Sequence, residues 1–223
     1  MTQRRLLPLD KKCMEDRAVD YKLYSFFQNN YLYDSLDRRY VPKDHPVHGN
    51  LTRATLLKIY NERCPDAADR ISLKTLSRKM ILFKSIGMIS EGTVINKQGV
   101  EVRAYIVLEN YEFFQYIPLE TLVYLVDTAS STVIKLYAVL LNRFLWKERS
   151  GGKYTFTFAE LAESVGLKDN NNGNTRIISN CLNSLVSVNL IEYKDYYQTT
   201  KIGAPTPRRV LVQVNLHHKK VAK

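Results

Sequence analysis

Residues 82–89, LFKSIGMI, and residues 185–191, LVSVNLI, share one pattern. Each stretch predicts the end of a long helix, a sharp turn and the start of a strand. The two stretches lie about as far apart as the length of a small domain, although few of their residues are identical. This repeat indicates that one structural pattern occurs twice in the chain.

The residues around the first stretch predict a set of helices and strands. Ser72 is a suitable N-cap for the helix that ends there, because its hydroxyl can accept a hydrogen bond from the first turn. Apolar side chains then recur on one side of the helix, at Leu73, Leu76, Met80 and Phe83, and are expected to be buried. The predicted helices span about 18–30, 31–39, 50–63 and 73–85, and the predicted strands span about 88–95 and 100–108.

The second half of the chain shows the same order around its own stretch. Apolar residues from Val133 to Phe144 follow the spacing of an amphipathic helix. The next, shorter helix is expected to end at Gly166, and a polar loop is expected to follow it. The predicted helices span about 132–145, 158–165 and 175–188, and the predicted strands span about 154–157, 190–193 and 210–214.

Two helices, a long helix and a two-stranded hairpin form the order of a winged helix-turn-helix domain. We therefore expect an α+β chain, mostly helical, with two tandem winged helix-turn-helix domains. The boundary is expected between Asn110 and Pro118, because proline interrupts regular strand pairing. The predicted domains are residues 1–113, an N-terminal winged-helix domain, and residues 114–223, a C-terminal winged-helix domain with a basic tail.

Three segments of the second half carry a resemblance to a known family. They are residues 116–122 (YIPLETL), 133–141 (VIKLYAVLL) and 156–162 (FTFAELA), together with the helix that ends before Leu190 and Ile191. In this pattern the chain resembles the tandem winged-helix replication-initiation proteins of firmicute plasmids and phages, of the replication initiator and primosomal DNA-remodelling type. The first half matches in pattern only. The resemblance implies the two-domain fold and a role in DNA replication.

The chain is strongly basic, with 33 Lys and Arg against 22 Asp and Glu and a net charge of +11. Such an excess favours a polyanionic partner, either nucleic acid or an anionic membrane surface. Both halves contribute, with +5 in residues 1–115 and +6 in residues 116–223. Together with the expected fold, this distribution favours double-stranded DNA. A membrane-spanning segment is excluded, because no apolar run approaches the roughly 18–20 residues that cross a bilayer. No membrane partner is predicted.

In the first domain, the helix at 73–85 is expected to be the recognition helix. Lys74 and Arg78 fall nearly opposite its apolar face, where base edges and phosphates are contacted. Arg78 is the best candidate for reading guanine, since a bidentate contact gives about 1–3 kcal/mol of discrimination. On a helix that met no DNA, the same residues would be solvated side chains. The candidate DNA-binding residues are Lys74, Thr75, Ser77, Arg78 and Lys79 on the helix and Lys97 and Arg103 on the wing.

In the second domain, the expected recognition helix is less charged. The polar face of this helix carries a single formal charge. It also carries asparagine residues, and asparagine can read adenine. The wing that follows is more basic, and phosphate contacts are expected there. The candidate DNA-binding residues are Arg176, Asn180 and Asn183 on the helix and Lys201, Arg208 and Arg209 on the wing.

The sequence lacks the motifs of common nucleotide-dependent and hydrolytic enzymes. It contains neither a G-x-x-x-x-G-K-[ST] nor a G-x-G-x-x-G phosphate-binding loop, and no G-x-S-x-G elbow. His45 and His48 are one residue too far apart for the His-hydrophobic-His pair of rolling-circle nickases. A metal site also needs three or four converging donors. We therefore predict a non-enzymatic protein with no catalytic residue, no metal site and no cofactor.

Cysteine and aromatic residues add two expectations. Cys13, Cys64 and Cys181 are odd in number and far apart, so a reducing, cytoplasmic location is expected. Cys181 lies among apolar residues of a predicted helix, which indicates packing. A dense aromatic group near the start is compatible with base stacking, with packing beneath the first domain or with a self-association surface, and its helical spacing favours packing. The members of this group are Tyr21, Tyr24, Phe26, Phe27, Tyr31 and Tyr33.

The sequence thus predicts a sequence-specific double-stranded DNA-binding protein that acts in plasmid or phage replication initiation. A replication helicase or its loader is a candidate partner, and a homo-oligomer is a candidate assembly. Two alternatives stay open. The first is a transcriptional regulator of a mobile element with the same fold. The second is a protein-interaction module that recruits the replication machinery.

Overall fold

The computed structural model describes residues 6–10, 18–64, 66–107, 114–148, 155–167, 172–196 and 209–215. These residues form an α+β fold, as the sequence predicts. Their contacts divide the chain into two compact units. The N-terminal unit comprises residues 18–112 and 126–130, and the C-terminal unit comprises residues 1–17, 113–125 and 131–223.

Seven α-helices and eleven strands occur in the described residues. In chain order they are β1 (Leu6–Asp10), α1 (Tyr21–Asn29), β2 (Leu32–Tyr33), β3 (Arg39–Pro42), β4 (Asp44–His45), β5 (Gly49–Asn50), α2 (Arg53–Glu62), α3 (Leu73–Ser85), β6 (Ile89–Ile95), β7 (Glu101–Val107), β8 (Phe114–Pro118), α4 (Leu119–Thr128), α5 (Ser131–Glu148), β9 (Thr155–Thr157), α6 (Phe158–Ser164), α7 (Asn172–Ser187), β10 (Ile191–Tyr196) and β11 (Arg209–Val214).

Each helix of the N-terminal unit that precedes the long hairpin begins at a capping side chain. The carboxylate of Asp20 and the hydroxyls of Thr52 and Ser72 each accept a hydrogen bond from the backbone N–H three residues further along. These bonds satisfy donors that have no partner inside the helix. The prediction of Ser72 as the cap of α3 is confirmed, and so is the predicted span 73–85.

The turns after α3 and α7 are built alike. Gly87 and Asn189 adopt left-handed backbone angles, with φ of 73° and 57°. The backbone N–H of the next residue donates to the carbonyl five residues before it, at 2.8 Å after α3 and at 2.9 Å after α7. This hydrogen bond belongs to the Schellman motif, which ends a helix and directs the chain into the next segment. The repeated helix-to-strand turn that the sequence predicts is therefore confirmed.

The two units share one order of elements. In the N-terminal unit the order is α1, β3, α2, α3, β6 and β7, and in the C-terminal unit it is α5, β9, α6, α7, β10 and β11. All the strand pairs are antiparallel. The last strand lies between the other two in both sheets, as β3-β7-β6 and as β9-β11-β10. In the N-terminal unit, β2 extends the sheet beyond β3, and β4 pairs with β5.

The predicted helix at 31–39 is wrong. Its residues form β2, a tight turn and the start of β3. The carboxylate of Asp34 accepts two backbone N–H groups of this turn, both at 2.9 Å. The backbone N–H of Ser35 also donates to the carbonyl of Ile95 in β6, at 2.8 Å. The turn is thus held against a strand about sixty residues away, which local helical spacing cannot reveal.

The compact units interleave in sequence. β1 pairs antiparallel with β8, so Leu6–Asp10 group with the C-terminal unit, whereas residues 126–130 group with the N-terminal unit. In the N-terminal unit the buried ammonium of Lys22 donates to the backbone oxygens of Arg63 at 2.6 Å and of Ala129 at 3.4 Å. Burial lowers the pKa of this lysine.

Neither β1 nor α4 is predicted from the sequence, and the division into domains after residue 113 stays a prediction.

Most of the N-terminal aromatic group packs inside its unit. The ring of Tyr24 meets Phe83 of α3 at 5.9 Å between centroids, and the ring of Phe27 meets Tyr105 of β7 at 5.4 Å. Such edge-to-face pairs stabilise a core beyond the area they bury. The predicted packing role is confirmed for the buried members, whereas Tyr33 is exposed. The buried members are Tyr21, Tyr24, Phe26 and Phe27.

Each unit holds one buried cysteine among its described residues. Cys64 follows α2, and Cys181 lies on the buried face of α7. Burial raises the pKa of both thiols, to about 11 at Cys181. The predicted packing role of Cys181 is confirmed. Both thiols are therefore protonated at neutral pH and shielded from reagents.

Replacing Gly87 by alanine is expected to destabilise the N-terminal unit by about 1 kcal/mol, because a left-handed backbone penalises a Cβ atom. A Cβ atom at Gly87 meets nothing within 4 Å, so the backbone conformation alone carries the effect. Urea unfolding followed by circular dichroism measures the change. Gly92→Ala is the control, since its Cβ would lie 3.5 Å from Ile106 Cδ1, an ordinary contact. Equal losses in the two variants would contradict the explanation.

Candidate nucleic-acid interface

α3 carries four basic residues and no acidic residue. Its buried face consists of Leu76, Met80 and Phe83, which anchor the helix in the core of the N-terminal unit. The prediction that Leu73 belongs to this face is wrong, because Leu73 is the first residue of the helix and 47% of it is exposed. The basic side chains lie on the remaining sides of the helix, and their surroundings differ. They are Lys74, Arg78, Lys79 and Lys84.

Two of these four cations are held by carboxylates. The ammonium of Lys79 lies 2.9 Å from the carboxylate of Asp20, a side chain that is only 3% exposed. The ammonium of Lys84 lies 2.6 Å from the carboxylate of Glu91 in β6. Lys79 is among the DNA contacts that the sequence predicts, and in the structure it is the counter-ion of a buried carboxylate. That ion pair leaves it less able to contact a ligand than an unpaired lysine.

Lys74 and Arg78 are exposed, and neither forms an ion pair with another described residue. They lie one turn apart on the same face of α3. The side chains of Thr75 and Ser77 are half-buried beside them. The Thr75 hydroxyl lies 3.1 Å from that of Ser72, so it belongs to the cap of the helix as well. Two cations without an acidic partner among the described residues thus mark the solvent side of α3.

The same row of α3 contains an apolar residue that the sequence-based candidates omit. Ile81 lies three residues after Arg78 and seven after Lys74, and 58% of it is exposed. The spacing i, i+4, i+7 places all three residues on one face of the helix. That spacing is visible in the sequence, and it is the signal that identifies Ile81.

The β6–β7 hairpin places its two candidates in different settings. The ammonium of Lys97 lies 3.0 Å from the carboxylate of Asp37, and both side chains are exposed. An exposed ion pair of this kind contributes little and separates easily in favour of another anion. Arg103 is exposed on β7, opposite Thr93 of β6. Both side chains are open to solvent on the N-terminal hairpin.

The acidic residue of β6 is neutralised by its neighbours. The carboxylate of Glu91 lies 2.8 Å from the ammonium of Lys43 and 2.6 Å from that of Lys84. Burial would raise the pKa of Glu91, but hydrogen bonds from the two lysines hold it below its usual value. The negative charge of Glu91 is therefore offset within the unit.

In the C-terminal unit, α7 presents its three candidates to solvent. Arg176, Asn180 and Asn183 are all exposed. The hydroxyl of Tyr193 in β10 donates to the side-chain oxygen of Asn183 at 2.7 Å. This bond orients Asn183 and uses its side-chain oxygen, not its two amide N–H donors. One formal charge lies on this face, as the sequence predicts.

The candidates on the C-terminal hairpin are only partly described. Arg209 is half-buried, and its guanidinium lies 3.7 Å from the carboxylate of Glu160. Glu160 also closes a capping box with Thr157 at the start of α6. Arg209 is thus placed beside the cap of a helix within its own unit. Lys201 and Arg208 lie outside the described residues.

His45 is the last residue of β4, and His48 lies on the turn between β4 and β5. Their rings stack at 4.9 Å between centroids. Nδ1 of His45 accepts hydrogen bonds from the backbone N–H groups of Val47 and His48, at 3.2 Å and 3.3 Å. His45 must be neutral to accept them. In the described ranges, no cluster of three potential metal ligands occurs.

Comparison with protein-family models, with curated proteins and with solved structures finds no match for this chain. Of the helices described, none combines the length and the apolar character needed to span a membrane.

Lys79→Ala is expected to lower the free energy of unfolding by about 2–3 kcal/mol, because it leaves the Asp20 carboxylate buried without its counter-ion. Arg78→Ala, one residue away and exposed, is the matched control and is expected to change stability by less than about 0.5 kcal/mol. Chemical unfolding of the two variants measures both values. A Lys79 variant as stable as the Arg78 variant would show that the ion pair contributes nothing.

Lowering the pH from about 7.5 to about 5.5 is expected to destabilise the N-terminal unit. Burial, reinforced by His48, lowers the pKa of His45 in the folded chain. The unfolded chain takes up this proton near pH 6.5, so the stabilisation is complete above about pH 6.5 and is lost as the pH falls below it. His45→Asn keeps an acceptor that cannot be protonated. Thermal melts should give this variant a flatter pH profile, and an unchanged profile would contradict the assignment.

Proposed function

We propose that this chain is a sequence-specific double-stranded DNA-binding protein with two tandem winged helix-turn-helix domains. The order of elements that the two units share supports the fold assignment, and so does the central position of the last strand in each sheet. A winged helix places the helix before the hairpin in the DNA major groove and the hairpin against the backbone. In this proposal α3 and α7 are the two recognition helices.

The observation that carries the proposal is the difference between the paired and the solvent-facing cations of α3. Lys79 and Lys84 are matched to carboxylates, whereas Lys74 and Arg78 face solvent without an acidic partner among the described residues. Unpaired cations in one row are what phosphate and guanine contacts require. We assign a phosphate contact to Lys74 and a guanine contact to Arg78. Thr75 and Ser77 are assigned hydrogen bonds to the DNA beside them.

The hairpins are proposed to hold the DNA backbone. On the N-terminal hairpin, Lys97 and Arg103 are exposed and supply the phosphate contacts. On the C-terminal hairpin, phosphate contacts are assigned to Lys201 and Arg208, which lie outside the described residues. Arg209 is assigned a weaker phosphate contact, because Glu160 lies beside it. Backbone contacts of this kind fix the position of the protein and carry no sequence information.

The proposed contribution of α7 is hydrogen bonding to bases. Asn180 can make the paired contact with adenine, which needs both an acceptor and a donor on one amide. Asn183 already accepts the Tyr193 hydroxyl, so it is assigned a donor role toward base acceptors. Arg176 supplies the charged contact on this face.

A role in replication initiation of a plasmid or phage, in the cytoplasm, is the process we propose. It is supported by the pattern of residues 116–122, 133–141 and 156–162 together with the tandem arrangement. A replication helicase or its loader is the proposed protein partner. A transcriptional regulator of a mobile element would use the same DNA contacts, and loss of plasmid replication in an Arg78→Ala strain, with promoter activity unchanged, separates the two.

A second candidate function applies to the C-terminal unit alone. The face of α7 has one charge, and Ile177 and Val186 are exposed beside it. A helix with exposed apolar side chains and little charge suits a protein partner better than a phosphate backbone. In this alternative, α7 recruits a replication protein while α3 binds DNA.

The full-length protein is expected to bind duplex origin DNA with an affinity that falls steeply with salt. Arg78→Ala should weaken binding about tenfold and relax the preference at one guanine, and Lys74→Ala should reduce the salt slope by about 0.9. Fluorescence anisotropy across a salt series measures both effects. Lys58→Ala is the control, because Lys58 is an exposed lysine that lies on α2 and not on α3, 3.8 Å from the carboxylate of Glu62. Absence of salt-sensitive binding to any duplex would refute the proposal.

A further inference from the structure

Ile81 lies in line with Lys74 and Arg78 on the solvent side of α3. It is 58% exposed, whereas Leu76 and Met80 on the opposite face are buried. Ser85 continues the row four residues later and is exposed as well. An apolar side chain therefore projects into solvent within a row of cationic and polar ones.

Two properties of this row define the ligand that fits it. α3 has no acidic residue, and its two exposed cations have no ion-pair partner among the described residues, which favours a polyanion. Ile81 adds an apolar contact, and a phosphate group cannot satisfy it. The matching ligand therefore presents anionic groups and an apolar group side by side.

The major groove of duplex DNA meets both requirements. Phosphates border the groove, and the C5-methyl group of thymine is the apolar group on the base edges within it. Two residues three apart in a helix are separated by about 4.5 Å along its axis, close to the rise of about 3.4 Å between base pairs. When Arg78 contacts a guanine, Ile81 therefore lies at a neighbouring base pair.

We propose that Ile81 is a specificity-determining residue that contacts the C5-methyl group of a thymine next to the guanine bound by Arg78. The inference rests on the proposed DNA-binding function of α3. It separates the roles in the row, with Lys74 on phosphate, Arg78 on guanine and Ile81 on thymine. Deoxyuridine differs from thymidine only in lacking this methyl group, so it is the direct probe.

The experiment uses the full-length protein and one duplex. The duplex is selected from random sequence with the wild-type protein, and each thymine is then replaced in turn by deoxyuridine. Fluorescence anisotropy at fixed salt gives the affinity of wild type, Ile81→Ala and Val47→Ala. Val47 is the matched control because it is an exposed apolar residue of the same unit, on the turn between β4 and β5. Circular dichroism melts check that both variants keep wild-type stability.

For wild type and Val47→Ala, one deoxyuridine replacement is expected to weaken binding about three- to fivefold, the effect of losing one buried methyl group. Ile81→Ala is expected to bind the thymine duplex more weakly than wild type and to show no difference between thymine and deoxyuridine at that position. Persistence of the difference in Ile81→Ala, or a wild type insensitive to every replacement, overturns the inference and leaves the proposed function standing. A wild-type protein that binds no duplex overturns both.

Discussion

A single buried carboxylate, that of Asp20, contacts all three helices that precede the long hairpin of the N-terminal unit. It caps α1 by accepting the backbone N–H of Leu23 at 3.1 Å, and it accepts the hydroxyl of Tyr60 from α2 at 2.9 Å. It also pairs with the ammonium of Lys79 from α3, at 2.9 Å. Burial, reinforced by this carboxylate, raises the pKa of Tyr60, so its hydroxyl stays a donor. The Lys79 pair joins α3 to this carboxylate, so Asp20 and the buried face of α3 together orient the side chains on its solvent face.

The ion pairs with Asp20 and Glu91 divide the four cations of α3 into two groups, two that are paired with carboxylates and two that face solvent. Carboxylates from two other elements neutralise Lys79 and Lys84, so those lysines position the helix. The remaining positive charge is concentrated on Lys74 and Arg78, in one row that faces solvent. α7 of the C-terminal unit shares the architecture but not this charge distribution. Units with the same order of elements thus differ in surface charge, which is why fold alone does not assign function.

Local signals in the sequence predict most of this fold, and they fail where distant contacts decide. Ser72 and Gly87 mark the start and end of α3, because capping and left-handed turns depend on neighbouring residues. The sequence-based prediction places the turn at Asp34 in a helix, because the hydrogen bond between this turn and β6 is not visible in the local sequence. For the candidate site, periodicity places Lys74 and Arg78 on the exposed side of α3. The same periodicity includes Ile81, but the sequence-based candidates omit it because they include only polar and charged residues. The partner of Lys79 requires the packing of α1 against α3, which no spacing rule supplies.

The two buried thiols offer separate reporters for the two units. Cys64 belongs to the N-terminal unit and Cys181 to the C-terminal unit, and burial keeps both in the protonated form. A thiol reagent reaches each one only when the surrounding unit opens, so its rate of labelling reports the opening free energy of that unit. With Cys13 replaced by serine, mass spectrometry of the labelled chain can follow the two sites independently. A ligand that slows labelling at one cysteine alone thereby reveals which half of the molecule holds it.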